Sequence, residues 1–285
     1  MDILVVSTAL LFSTGFWFWL VRRKDRFAPE PFWFLCKIML LGGVISIIPS
    51  GVLNSLVVDQ HETAIFTSLW QNCFVGLNEE LWKLLATIYL IKNHHHFDEP
   101  VDGLIYAATV ALGFAAIENI EYISRHGLGV LALRHFTSVP GHLAFAMLWG
   151  YGLTLAKFKY PNRNWLSVIW PFYFLAAISH GLYNFSLHLF PDGMNLAIAI
   201  LFVLYLYRYN AKKITSMLLH SPLRPIGHCP ACKTNSSKNS RICRRCGAAL
   251  YPDEEFPLLK KKICKNCARQ NVFSAKFCVQ CGTKG

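Results

Sequence analysis

Apolar runs cover about residues 3–21, 32–57, 64–91, 101–124, 136–156, 165–189 and 194–208, with short polar connections between them. Hydrocarbon about 30 Å thick is crossed by about 20 apolar residues in a helix, so the pattern predicts an all-α polytopic membrane bundle of about seven transmembrane helices. The last run is short for a full crossing, and residues 64–91 could also form two half-segments, giving eight. The first run ends in Arg22, Arg23, Lys24, Asp25 and Arg26. A cleaved signal peptide carries its basic residues in front and a small-residue cleavage site behind, so this run reads as a retained span.

The loops orient the bundle. Arg22 to Arg26, Lys92, the Lys157/Lys159/Arg163 loop and Arg208/Lys212/Lys213 fall on one side of a seven-span arrangement, whereas the loops at 58–62 and 190–193 are acidic or neutral. Lys and Arg concentrate in short cytoplasmic loops, which predicts an outside N-terminus and a cytoplasmic C-terminus. Arg125 and Arg134 are exceptions.

Four runs are interrupted by polar residues: Glu79, Glu80 and Lys83; Glu118, Asn119, Glu121 and Tyr122; His142; and His180 with Asn184. Residues three and four apart share a helix face, so both glutamates can reach Lys83, and His180 stacks over Asn184. A charge at the centre of a span costs about 2.5–3.5 kcal/mol on insertion scales and marks a functional site by default. The economical arrangement turns all four stripes toward one wet interior. Small residues such as Gly113, Ala115, Ala116, Gly150, Gly152, Ala176 and Ala177 allow the helices to close around it.

Composition separates the two ends of the chain. Of 285 residues 54% are hydrophobic and 15% charged, as a membrane protein requires. Residues 1–210 carry 13 Lys/Arg against 13 Asp/Glu and residues 211–285 carry 15 against 3, so the formal charge of +12 belongs to the tail. The tail also holds eight of the ten cysteines as Cys229/Cys232, Cys243/Cys246, Cys264/Cys267 and Cys278/Cys281, a unit repeated at a period of 35 residues. The spacing predicts two structural Zn2+ sites of four thiolates each, in a small cytoplasmic zinc-ribbon pair, with redox use as the alternative. A reducing cytosol suits cysteines kept as metal ligands. Glycine after the last pair of each copy, Gly247 and Gly282, suits a tight knuckle turn. The ribbons have few interleaved aromatics and adjoin an anionic leaflet, which favours a protein partner over nucleic acid.

Bland readings stand beside the chemical ones. The Glu79/Glu80/Lys83 cluster is either an ion pair that fixes helix packing or a general base with an electrostatic partner. His142 is either a satisfied core histidine or part of the site. Glu118 and Glu121 could be catalytic, could hold a metal with the histidines, or could bond neighbouring helices. His94, His95 and His96 read as a solvated loop, and Trp82 and Trp149 as lipid-facing or interfacial packing.

In order along the chain, Glu79-Glu80-x-x-Lys83, Phe114-x-x-x-Glu118-Asn119, His142 with Phe145, Gly150 and Gly152, and His180-x-x-Tyr183-Asn184 resemble the PrsW family of intramembrane proteases. A more distant likeness is to the CAAX prenyl protease and bacteriocin-processing family. That pattern has a histidine after Phe-x-x-x, where this chain has Glu118. The resemblance covers about residues 30–205. It implies an endopeptidase in a bacterial cytoplasmic membrane that cuts membrane-anchored substrates, the family being associated with cleavage of an anti-sigma factor. It also implies that Glu79 and Glu80 are catalytic carboxylates and His180 the essential histidine, with Glu118, His142, Asn184 and Lys83 in support. One glutamate takes a proton from water while the other is protonated or paired with Lys83, and His180 with Asn184 stabilises the oxyanion. A catalytic metal held by Glu and His is the other route. The family does not explain the cysteine-rich tail. The expected domains are therefore a transmembrane protease-like domain at 1–208, a basic linker at 209–226 and a double zinc ribbon at 227–285 that docks a protein partner. The alternative functions are a non-enzymatic membrane sensor or scaffold signalling through its ribbons, and a transporter or channel.

Overall fold

The computed structural model describes residues 3–59, 64–189 and 193–221, and in the tail residues 229, 231, 232, 234, 245–248, 261–263, 266, 270–272, 281 and 283. The helices are α1 (Ile3–Arg22), α2 (Phe32–Val57), α3 (Ile65–Ile91), α4 (Asp102–His126), α5 (Gly129–Phe136), α6 (Ser138–Thr154), α7 (Trp165–Leu189) and α8 (Met194–Leu219), with a π-helical turn at Leu155–Lys159 closing α6. In the tail, β1 (Lys261–Ile263) pairs antiparallel with β2 (Gln270–Val272), Lys262 opposite Asn271.

Among the described residues five helices, α1, α2, α4, α7 and α8, are long and apolar enough to cross a bilayer. Two more long helices stand beside them. α3 is too polar to qualify because Asn78, Glu79, Glu80 and Lys83 interrupt it, and α6 has only 17 residues. Seven long helices thus match the seven apolar runs, and α3 is one unbroken helix rather than two half-segments. The end of α8 differs from expectation. It does not stop at Arg208 but continues to Leu219, because Ile214 and Met217 remain buried and the Asn210 amide donates to the Ala144 carbonyl at 2.9 Å.

α4 is the central helix, buried continuously from Asp102 to Ala115 between α2 and α6, while α3 lies against α7 and α2. Glycines set these distances. A Cβ on Gly43 of α2 would stand 2.6 Å from the carbonyl carbon of Gly113 in α4, and one on Gly150 of α6 would stand 2.6 Å from the Gly103 carbonyl oxygen. Of the small residues singled out in sequence, Gly113, Gly150, Gly152, Ala115, Ala176 and Ala177 are buried, and Ala116 is only half-buried. Backbones this close bring polar side chains of four helices within hydrogen-bond reach of one another.

Candidate active site

α3 carries the centre of the site. Lys83 has no solvent exposure, and its Nζ lies 2.8 Å from Glu80 Oε1, 3.0 Å from His142 Nδ1 and 3.5 Å from Glu79 Oε2. It also sits 4.1 Å from the centroid of the Phe114 ring. An ammonium only donates, so His142 Nδ1 accepts and the His142 proton sits on Nε2, which donates to Glu118 Oε2 at 3.0 Å. Glu118 is in turn ion-paired with Arg134 of α5, whose Nε donates to Asn119 Oδ1 at 2.6 Å and whose guanidinium lies 3.7 Å from the Tyr122 ring centroid. One chain of contacts therefore runs from Arg134 through Glu118, His142 and Lys83 to Glu80.

The two adjacent glutamates have different environments. Glu80 has no exposure and both its oxygens are taken, Oε1 by Lys83 and by His180 Nδ1 at 3.0 Å, Oε2 by the Trp149 indole at 2.9 Å. Glu79 receives one hydrogen bond, from Asn54 Nδ2 to Oε1 at 3.2 Å, while among the described residues no donor bonds its buried Oε2. With its Nδ1–H given to Glu80, a neutral His180 turns the Nε2 lone pair toward Glu79 Oε2, 3.9 Å away. Phe145 stacks on the His180 ring at 4.9 Å between centroids and holds it in this orientation.

Glu79, Glu118, His142, His180, Tyr183 and Asn184 line a cavity of about 660 Å³, and Glu80 and Lys83 lie behind its wall. The cavity lies between the C-terminal half of α2, the middle of α3, the second half of α4, α5, the start of α6 and the C-terminal half of α7. A neighbouring hollow of about 750 Å³ shares Asp59, Val75 and Tyr122 with it, and both belong to the side opposite the basic loops. Glu121 is half-exposed at this rim in an ion pair of 2.7 Å with Arg125. It does not join Glu118 in the buried network.

Three side chains of the site escaped sequence reasoning. Trp149, expected at the lipid boundary, is instead completely buried, because Glu80 needs a donor on the side away from Lys83. Asn54 on α2 bonds Glu79 and also accepts from Asn78 Nδ2 at 2.8 Å. Arg134 did leave a signal. It was an exception to the charge rule for loops, and its role as buried partner of Glu118 accounts for that. The His94–His96 loop is also less solvated than expected, since His94 stacks on Phe34 at 4.1 Å between centroids.

A metal ion fits part of this site. Ligand atoms of Glu79, His142 and His180 lie within 4.8 Å of one another. Glu79 Oε2 and His180 Nε2 are available, and their 3.9 Å separation is within about half an ångström of the ~3.4 Å between two ligands on tetrahedral zinc. His142 could complete the set only by releasing Lys83 or Glu118.

In the tail, the sulfurs of Cys229, Cys232 and Cys246 lie within 4.8 Å of one another, Cys229 and Cys246 at 3.6 Å. That is far beyond a disulfide bond of about 2.05 Å. It is close to the ~3.8 Å edge of a zinc–thiolate tetrahedron. Gly247, with φ +70°, makes the left-handed turn expected after the knuckle. Cys281 lies 3.1 Å from the Thr283 hydroxyl. Cys243, Cys264, Cys267 and Cys278, and Gly282, lie outside the described residues.

Comparison with known proteins covers both parts of the chain. Residues 30–209 match the model of a family described as PrsW family intramembrane metalloprotease, and residues 229–282 match that of a double zinc ribbon. The relative named Protease PrsW from Clostridioides difficile is 30% identical over 229 residues, 78% of this chain and 93% of that protein. Those named Protease PrsW from Oceanobacillus iheyensis and Bacillus subtilis are 30% identical over 196 residues and 29% over 170, covering 86% and 74% of their own lengths and 66% and 58% of this chain. No solved structure matches.

Proposed function

The chain belongs to the PrsW family of intramembrane metalloproteases, and from that premise we propose that it is an endopeptidase that cuts single-span or otherwise membrane-anchored proteins at the cavity between α2, α3, α4, α5, α6 and α7. The observation that carries the assignment of roles is the pair of facing acceptors, Glu79 Oε2 and His180 Nε2, on the wall of that cavity. A water molecule between them donates a hydrogen bond to each. Glu79 takes its proton as the oxygen attacks the peptide carbonyl carbon, and later returns that proton to the departing amine. Asn184, one helical turn from His180 on the same wall, offers its amide to the developing oxyanion.

Glu80 and Lys83 are positioning residues in this scheme. Glu80 fixes the tautomer and orientation of His180, and Lys83 holds Glu80, His142 and Glu79 in register. The link from Lys83 through His142 and Glu118 to Arg134 ties α3 to α4, α5 and α6, so the wall is rigid before substrate arrives. If the family's metal is zinc, Glu79 and His180, with His142, would hold it, and it would supply Lewis-acid activation of water and carbonyl.

The basic loops support an orientation with the C-terminus in the cytoplasm of a bacterial cell and the cavity facing the other side. Substrates are then cut near the outer surface of the membrane, as suits a regulator such as an anti-sigma factor. The two ribbons, loaded with one zinc each, dock a cytoplasmic protein partner. Quantitative proteomics of membrane-anchored proteins in cells carrying Glu79→Gln tests this reading: a set of single-span proteins accumulates uncut. An unchanged membrane proteome, together with a phenotype lost only on mutation of ribbon cysteines, would support a non-enzymatic sensor instead.

A further inference from the structure

On the face that carries the basic loops, opposite the cavity, five carboxylates converge: Asp25 and Glu30 between α1 and α2, Asp98 and Glu99 between α3 and α4, and Asp102 at the start of α4. All five are buried, with exposures between 0 and 7%. Buried carboxylates are expensive unless a cation or a full set of donors meets them. Among the described residues, four of their ten oxygens are buried with no hydrogen-bond donor, one each on Asp25, Glu30, Glu99 and Asp102. Asp102 Oδ2 accepts from the backbone N–H of Asp98 at 2.9 Å and of Glu99 at 2.6 Å, and Asp25 Oδ2 accepts from the N–H of Glu30 at 2.8 Å. These bonds clamp Asp102 and Asp25 by one oxygen each. The other oxygens, Asp25 Oδ1 and Asp102 Oδ1, together with Glu30 Oε2, are buried with no hydrogen-bond donor among the described residues. One oxygen of each of the three residues lies within 4.8 Å of the others.

We propose that Asp25, Glu30 and Asp102 bind a divalent cation of the oxygen-preferring class, Ca2+ or Mg2+, which staples the α1–α2 corner to the first turn of α4. Two carboxylates held by backbone N–H groups, Asp25 and Asp102, and the buried Glu30 each keep a spare oxygen within 4.8 Å of the others, a hard-ligand set with no sulfur. Ligands of Ca2+ stand at about 2.3–2.6 Å, so it bridges oxygens up to about 5 Å apart, whereas Mg2+ draws them closer. Glu99 extends the staple, because its Oε1 accepts from the Ser221 hydroxyl at 2.5 Å just beyond α8. The cation thereby also fixes the point where the chain leaves the bundle for the ribbons. Among the described residues no Lys or Arg ion pair with Asp25, Glu30 or Asp102 closes the site, and these three oxygens stay without a donor. The nearest ring nitrogen, His96 Nδ1, stands 3.4 Å from Glu30 Oε2 and makes no hydrogen bond to it.

The test is equilibrium dialysis of the full-length, zinc-loaded protein against Ca2+ alone and Mg2+ alone, up to about 10 mM, roughly ten times the weakest dissociation constant usual for protein Ca2+ sites. The wild type is expected to take up one additional Ca2+ or Mg2+ per chain, and the thermal midpoint to rise by about 5 °C at saturation. The double variant Asp25→Asn/Asp102→Asn and the single variant Glu30→Gln lose the uptake and the shift. Absence of stoichiometric uptake by the wild type overturns the proposal whether or not the variants fold. Equal uptake by wild type and folded variants also overturns it, since the ion then binds elsewhere.

Discussion

Replacing Lys83 by methionine keeps the length of the side chain and removes a positive charge from a point with no solvent. Its Nζ is 2.8 Å from Glu80, 3.0 Å from His142 and 3.5 Å from Glu79, so the substitution strands a carboxylate with no exposure of its own. Breaking a buried pair by deleting one partner costs about 3–5 kcal/mol, most of it the penalty of the charge left behind. At about 2–4 °C per kcal/mol for a domain of this size, the thermal midpoint of the purified protein falls by about 10 °C. Adding Glu80→Gln removes the stranded charge while the amide oxygen still accepts from Trp149. The double variant Lys83→Met/Glu80→Gln is therefore more stable than the sum of the single variants implies, by about 1–3 kcal/mol of coupling. Thermal melts of the wild type, both single variants and the double variant in one detergent measure this. A Lys83→Met midpoint within about 1 °C of the wild type, or strict additivity, would refute the reasoning that these charges hold the wall together.

Three further outcomes follow from the geometry. Gly43→Ala places a methyl group 2.6 Å from the backbone of Gly113 and destabilises by about 1–3 kcal/mol, whereas Gly51→Ala on the same helix meets nothing within 4 Å and melts like the wild type. Trp149→Phe removes the donor to Glu80 Oε2, costs about 1.5–3 kcal/mol, and lowers kcat with little change in KM, because it loosens His180 without touching substrate. Cys229→Ser halves the zinc bound to the tail, measured per chain by metal analysis, and leaves the helical circular dichroism of the bundle unchanged.

How much of this was legible in the sequence depended on the range of the interaction. The Glu79/Glu80/Lys83 triangle lies within one helix and follows from spacings of three and four, so its contacts could be anticipated from sequence. The paired stripes were legible as well, because charge in hydrocarbon leaves few orientations open. The difference in surroundings between Glu79 and Glu80 was not. It depends on Trp149, 69 residues away, and on Asn54, 25 residues away, neither of which carries a charge that sets it apart in an apolar run. Arg134 was visible as an anomaly of loop charge but not as the partner of Glu118. The carboxylates of the further site are not legible in the sequence, since nothing local shows that Asp102 will fold back over the N–H groups of Asp98 and Glu99.

Cleavage of a single-span substrate by the purified protein in proteoliposomes, compared between the wild type and Glu79→Gln with thermal midpoints measured alongside, tests the central assignment most directly. Loss of the general base predicts a rate lower by about 100-fold or more. The midpoint should stay close to that of the wild type, because the amide oxygen still accepts from Asn54. A Glu79→Gln protein that folds and cuts at the wild-type rate would contradict the account and return the catalytic role to another group on the cavity wall.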